Sequence, residues 1–246
     1  MKKKILVSAI IIAVLTVTGY FVYHTLTKST IYAPSGALDD SKLPWIHKID
    51  DGDLMRGLDL SHHNKIVNFD KLRDMDFIYH KATEGSTFAD PRFAERMEKF
   101  TQMDIPCGAY HFFTTSSSGK AQFRHFKSIV SKKYPLIPVL DIEINRNNWS
   151  TKKLNEELAV WIGMCEEYYG VKPIIYSSSW FYIRYRLSQH GCMFWSGDVD
   201  VKSQVKCIIH QQTIKHVAGI AGKADYNVAL WLPDMTLGNV ITKSGN

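Results

Sequence analysis

From Met55 to Ser179, segments that read as strands alternate with segments that read as helices, and this alternation limits the fold more than any other feature of the chain. The runs "MRGLDLS", "FIYHKATEG", "IPCGAYHFF", "PLIPVLDIE" and "KPIIYSS" are short, apolar or β-branched, and bounded by turn residues. Between them lie "NFDKLRD", "DPRFAERMEKFTQM", "GKAQFRHFKSIVSKK" and "STKKLNEELAVWIGMCEEYYG". The second carries Phe93, Met97 and Phe100 on one side. The last opens on a Ser/Thr cap and closes at Gly170, a C-cap residue. Trp161, Tyr168 and Tyr169 fall on its helical pattern and read as core. Strand–helix alternation predicts parallel strands joined by crossover helices. After Ser179 the pattern changes: "CMFWSGDVD", "VKCIIHQQT" and "KADYNVAL" read as strands without clear helices between them. The expected fold class is α/β, an irregular TIM-like β/α barrel with a β-rich closing part.

The ends of the chain differ from this body. "MKKK" precedes a long apolar run from Ile5 to about Tyr23, close to the ~20 residues that span a bilayer. Residues 1–26 therefore read as a transmembrane signal anchor that holds the rest of the chain outside the cytoplasm, or as a signal peptide if cleaved. Residues 27–53, rich in Ser, Thr, Gly and Asp, read as a linker, 54–236 as the barrel and 237–246 as a tail. The net charge of +6 is spread along the chain, and no zinc-finger, P-loop or G-x-G-x-x-G pattern is present, so no nucleic-acid partner is expected. Cys107, Cys165, Cys192 and Cys207 form no C-x-x-C pair and read as buried free thiols, although Cys192 and Cys207 could be bridged if their segments were neighbours.

Within "YPLIPVLDIEIN" (134–145), Asp141 and Glu143 interrupt a run that otherwise reads as a buried strand. Residues at i and i+2 of a strand share a face, so the two carboxyls are expected side by side. Like charges so placed push their pKa values apart, which is how an acid is made beside an ionised partner. The plain alternative is a strand end meeting solvent. Polar residues recur at the ends of the other candidate strands, however: Asp59; Lys81 and Glu84; Tyr110 and His111; Tyr176; and, near the last, Asp225. Chemistry in α/β barrels sits at the C-terminal ends of strands, and packing alone seldom explains a convergent set of charges.

In "GLDLSHHN" (57–64), "HKATEGSTFADPRF" (80–93), "CGAYHFF" (107–113), "PVLDIE" (138–143), "PIIYSS" (173–178) and "ADYNV" (224–228), the chain resembles glycoside hydrolase family 25, the Chalaropsis-type lysozymes or N-acetylmuramidases. The resemblance implies a β/α barrel that hydrolyses the β-1,4 bond between N-acetylmuramic acid and N-acetylglucosamine in peptidoglycan. It implies that Glu143 is the general acid/base and that Asp141 stabilises the intermediate or orients the substrate acetamide. It places Asp59 and Asp225 with them in the cleft, and Tyr110 and Tyr176 against the sugar. It implies retention, preferably assisted by the substrate's own acetamide. Where relatives carry an aromatic W-Q-Y, this chain has His210, Gln211 and Gln212, and "CMFWSGD" around Trp195 departs from W-I-A-x-Y. Trp195 and Gln211 thus enter the expected sugar-binding set with His111, Lys81 and Glu84.

No H-x-x-x-H or H-E-x-x-H pattern accompanies His62, His63, His80, His111 and His125, so no metal or cofactor is expected. His63 and His111 read as hydrogen-bonding groups of the cleft, and Lys81 as an orienting cation paired with Asp59 or Glu84. The expected protein is a monomer of the cell envelope acting on peptidoglycan glycan strands. A non-catalytic glycan-binding barrel and a hydrolase of another N-acetylhexosamine polymer, such as chitin, are the competing readings.

Overall fold

A computed structural model of the chain describes residues 54–230; the proposed anchor, linker and C-terminal tail lie outside the described residues. The strands are β1 (Leu54–Leu60), β2 (Lys65–Ile66), β3 (Phe77–Glu84), β4 (Phe88–Ala89), β5 (Cys107–Phe112) and β6 (Val139–Asp141). They continue with β7 (Ile174–Ser177), β8 (Phe194–Ser196), β9 (Ile209–His216), β10 (Ile220–Ala221) and β11 (Lys223–Leu230). The helices are α1 (Phe93–Gln102), α2 (Gly119–Ile129), α3 (Thr151–Tyr169) and α4 (Ser179–Arg184), with 3₁₀ turns at Phe69–Leu72 and Leu187–His190. Eight strands close a ring in the order β1-β11-β9-β8-β7-β6-β5-β3, which returns to β1. All neighbours are parallel except β11, which runs antiparallel to both β1 and β9. The β-rich closing part is this reversal: β9 and β11 need no crossover helix because an antiparallel pair can be joined by a tight connection. Among the described residues no helix is long and apolar enough to cross a membrane.

Alternation along each strand sorts the apolar residues into two cores. Leu58, Ile78, Ala109, Leu140 and Ile175 face outward against the helices, whose Phe100, Phe126 and Trp161 are fully buried. Phe77, Tyr79, Val139, Ile174, Trp195 and Ile209 fill the inside of the ring. Two glycines make room for the largest of these. A Cβ on Gly57 would stand 2.3 Å from the Phe77 ring, and one on Gly108 2.6 Å from the Tyr79 ring. The aromatic pair of β3 thus plugs the lower barrel, and an open cleft lies toward the C-terminal ends of the strands.

Helix boundaries follow local chemistry. Ser118, Ser150 and Ser178 cap α2, α3 and α4 by accepting backbone N–H groups, and Gly170 ends α3 at φ 79°. Three expectations are corrected. "NFDKLRD" forms only one 3₁₀ turn, capped by Asn68. A short helix, α4, stands in "SWFYIR", where none was expected; six aromatic-rich residues carry too little periodicity to announce it, but the Ser178 cap and the Asp198 carboxylate, which accepts Ser179 N–H at 2.9 Å, hold it. The strand expected in "PLIPVLDIE" (135–143) has only three ladder residues, because Pro138 has no N–H and the chain leaves the sheet after Asp141. All four cysteines are free thiols, Cys192 half-buried and the others buried.

Candidate active site

At the C-terminal end of the ring lies a cleft of about 230 Å³ whose walls include Asp59, Asp141, Glu143 and Asp225. Each acid arrives by strand parity. Asp59 on β1 faces inward beside Asp225 of β11, its partner in register. Asp141, the last residue of β6, lies beside Tyr176 of β7. Glu143 follows two residues later, past the strand end, on backbone still tied to β7: Ile142 N–H donates to Tyr176 O at 3.0 Å and Ser177 Oγ to Ile142 O at 2.6 Å. The expected same-face pairing is therefore made across a strand end, with Asp141 buried below and Glu143 exposed at the mouth.

A hydrogen-bonded floor orients the acids. Asn227, fully buried, donates from Nδ2 to Asp59 Oδ2 at 2.8 Å and accepts at Oδ1 from the Trp195 indole at 3.0 Å. Gln211 donates to Asp225 Oδ1 at 2.8 Å and accepts from the Tyr176 hydroxyl. Trp195 is edge-on to Tyr176, with centroids 5.4 Å apart. Lys81 Nζ donates to Glu84 and stands 4.8 Å from the centre of the Phe112 ring. It is paired with Glu84, one of its two expected partners.

The carboxyls have raised pKa values. Burial, then the charges of Glu143 and Asp59, push Asp141 well above the usual carboxylate range, against the pull of Lys81. Its Oδ1 has no hydrogen-bond partner, so an ionised Asp141 would carry uncompensated charge. Although Glu143 is open to solvent at the mouth, the walls around its carboxyl partly desolvate it and raise it too; its hydrogen bond with Asp141 opposes this and the charge of Asp225 adds to it. Burial and then the Asp225 charge raise Asp59 against the Asn227 bond, and burial raises Asp225 against the Gln211 bond. Tyr110 and Tyr176 are pushed up by burial and by the surrounding acids, and remain neutral.

The expected sugar-binding residues divide. Tyr110, Tyr176 and Lys81 line the cleft, and Trp195 forms its floor at 1% exposure. Gln211 is buried and acts on the cleft through Tyr176 and Asp225. Glu84 reaches the site only through Lys81. His111 is corrected: adjacent to Tyr110 on β5, it points the opposite way, fully buried among Thr83, Gln122 and Trp161. Its imidazole is held down to about 3 by burial and stays neutral. Asn227 was absent from the sequence-derived set, although two-residue parity from Asp225 on a strand would have pointed to it. Ser61, His63 and Phe112 also line the cleft. Among the described residues no group of three or more His, Cys, Asp or Glu side chains is placed to hold a metal ion.

Residues 58–215 match the family model described as Glycosyl hydrolases family 25. The chain belongs to this family. A family 25 glycosyl hydrolase from Bacillus anthracis superposes with a TM-score of 0.70 and 28% identity, over 77% of this chain and 95% of that one. Lysozyme M1 from Streptomyces globisporus is 38% identical over 98 residues, 37% of this chain and 33% of the relative. The uncharacterized protein YegX of Escherichia coli K12 is 35% identical over 136 residues, 52% of this chain. The matched region spans half the length of that curated relative.

Proposed function

We propose that this family 25 chain is a peptidoglycan hydrolase that cleaves the β-1,4 bond between N-acetylmuramic acid and N-acetylglucosamine. The observation that carries the reading is the convergence of Asp59, Asp141, Glu143 and Asp225 in one cleft at the C-terminal end of a closed barrel. Glycoside cleavage needs a proton for the leaving oxygen and negative charge beside an oxocarbenium-like centre. Glu143, at the mouth, is the group that meets the scissile oxygen. Asp141, beneath it, orients the substrate acetamide or stabilises the positive centre.

As general acid Glu143 carries the proton when the bond breaks, and Asp141 carries the negative charge. Burial raises both carboxyls, and the charge of Glu143 raises Asp141 further, so the two do not readily ionise together. A glycan covering Glu143 removes water from it and raises its proton affinity in turn. With the proton on Glu143 and the charge on Asp141, the pair has the distribution that cleavage requires. Asp59 and Asp225, tied to the floor by Asn227 and Gln211, add to the field.

The test incubates the purified protein and Glu143→Gln with peptidoglycan and identifies the new reducing ends. Muramic acid ends, lost by about 10²-fold or more in the variant, are expected. Glucosamine ends would overturn the bond assignment. Release from chitin but not peptidoglycan would favour the other-polymer reading, and binding without release the non-catalytic one.

A further inference from the structure

Opposite the β6–β7 side of the cleft, the wall is the turn Ser61–Asn64 that follows β1, with Ser61 and His63 facing the site. The turn closes itself through Asn64 N–H to Ser61 O at 3.0 Å and Ser61 N–H to Asn64 Oδ1 at 2.8 Å. Its position over the barrel is set from outside. Arg96 of α1, an arginine only 6% exposed, donates from Nη1 to Ser61 O at 2.7 Å and from Nη2 to Asn64 O at 2.6 Å. One guanidinium thus grips both ends of the turn. The same Nη1 reaches His80 Nε2 at 3.0 Å. His80 Nδ1 lies 2.8 Å from Lys81 O, which can only accept, so Nδ1 carries the hydrogen and Nε2 accepts from Arg96. Burial holds His80 down to about 4, so Arg96 faces a neutral ring rather than a second cation. From the other side, Asp90 accepts the His62 N–H at 2.9 Å and the His62 ring N–H at 2.8 Å. Asp90 is itself fixed by Arg92 N–H at 2.9 Å and by its own N–H to Ala82 O.

A buried arginine is retained at the cost of desolvating its charge, and a planar fork satisfies two carbonyls that a point charge would not. We propose that Arg96 is a positioning residue: by gripping Ser61 and Asn64 while bonded to His80 on β3, it fixes the height of the Ser61–His63 wall and so sets the fit of the glycan in the cleft. The inference rests on the hydrolase reading. It makes Arg96 a determinant of substrate affinity that acts through His63, without touching substrate.

The test compares full-length wild type, Arg96→Gln, Arg96→Lys, His63→Ala and Arg96→Gln/His63→Ala, with rates normalised to folded protein. Arg96→Gln is expected to raise KM for solubilised glycan about 10-fold with kcat changed less than about 2-fold, the pattern of lost binding rather than lost chemistry. Lysine should not rescue it, because it keeps the charge and loses the fork. The double variant should be no worse than the worse single one, since both act through one wall. Hydrogen exchange of the Ser61, His62 and Asn64 amides, read without substrate, should accelerate in Arg96→Gln. Unchanged KM and exchange in Arg96→Gln, full rescue by lysine, or additive effects in the double variant would each overturn the proposal. If Arg96→Gln does not fold, Asp90→Asn loosens the turn from its other side and should give the same rise in KM and exchange. Wild type that releases nothing from any glycan sinks the hydrolase reading, and the exchange measurement then decides alone whether Arg96 holds the wall.

Discussion

Asn227→Leu is the sharpest test of the floor beneath the acids. The side chain is fully buried and makes two short bonds, one to the Asp59 carboxyl and one from the Trp195 indole, with a longer third to Asp225 O at 3.4 Å. Leucine has the same heavy-atom count and branching but is bulkier, so the change removes polarity without opening a cavity for water, and any overpacking adds to the loss. Trp195 is 1% exposed, so its N–H would be left without an acceptor, at a cost of about 1–3 kcal/mol. The lost bond to Asp59 contributes a further ~1 kcal/mol if that carboxyl is neutral, and more if it is ionised. A loss of about 2–4 kcal/mol is expected, a large share of the ~5–15 kcal/mol that holds a typical domain together. Urea unfolding at pH 6, with the slope unchanged from wild type, gives the number directly. The variant should also shift the ionisation of Asp59 upward, because the Asn227 bond is the strongest influence lowering it. A loss below about 0.5 kcal/mol would refute the reasoning, because the indole and the carboxyl would then have other partners.

Gly197 sits against the Tyr176 hydroxyl, which a Cβ would approach to 2.6 Å. Gly197→Ala should push the phenol off Gln211 and lower kcat/KM about 10-fold, with a stability loss of ~1–3 kcal/mol by thermal unfolding; an unchanged kcat/KM would mean that Tyr176 does not set the cleft geometry. The raised acids also make stability fall as pH rises. The folded protein holds the Asp141 proton more tightly than the unfolded chain does, so this contribution is complete below the ordinary carboxylate range near pH ~4 and is lost as pH climbs through the raised folded value. Asp141→Asn, which keeps the shape beside Glu143, Asp59 and Lys81 without the titration, should flatten that slope in urea titrations between pH 4 and 8 while abolishing glycan release. An equal slope in wild type and variant would contradict the assignment of the buried proton.

The barrel was legible because its signal is local. The short, nearly continuously buried runs of β3, β5 and β7 and the serine caps before α2, α3 and α4 are written in residues a few positions apart, and backbone sterics act at that range. The acid set was legible for the same reason: a charge at the end of an apolar strand is visible one strand at a time. Where the reading failed, the missing information was parity or partnership. Tyr110 and His111 were both assigned to the cleft, but neighbours on a strand face opposite sides, and only the fold says which side is inside.

By itself, then, the sequence determined the strand–helix order, the β-rich close and the four carboxyls, since each depends on propensity and on burial of apolar faces. The tertiary structure alone decided that β11 reverses direction to close the ring and brings Asp225 beside Asp59. It also decided that Asn227 and Gln211 hold the acids from below, and that Asp141 rather than Glu143 lies deepest. The physical reason is distance along the chain. Asn227 and Asp59 are 168 residues apart, and the desolvation that moves a carboxyl's pKa depends on every group packed around it, so neither can be read from the residues on either side.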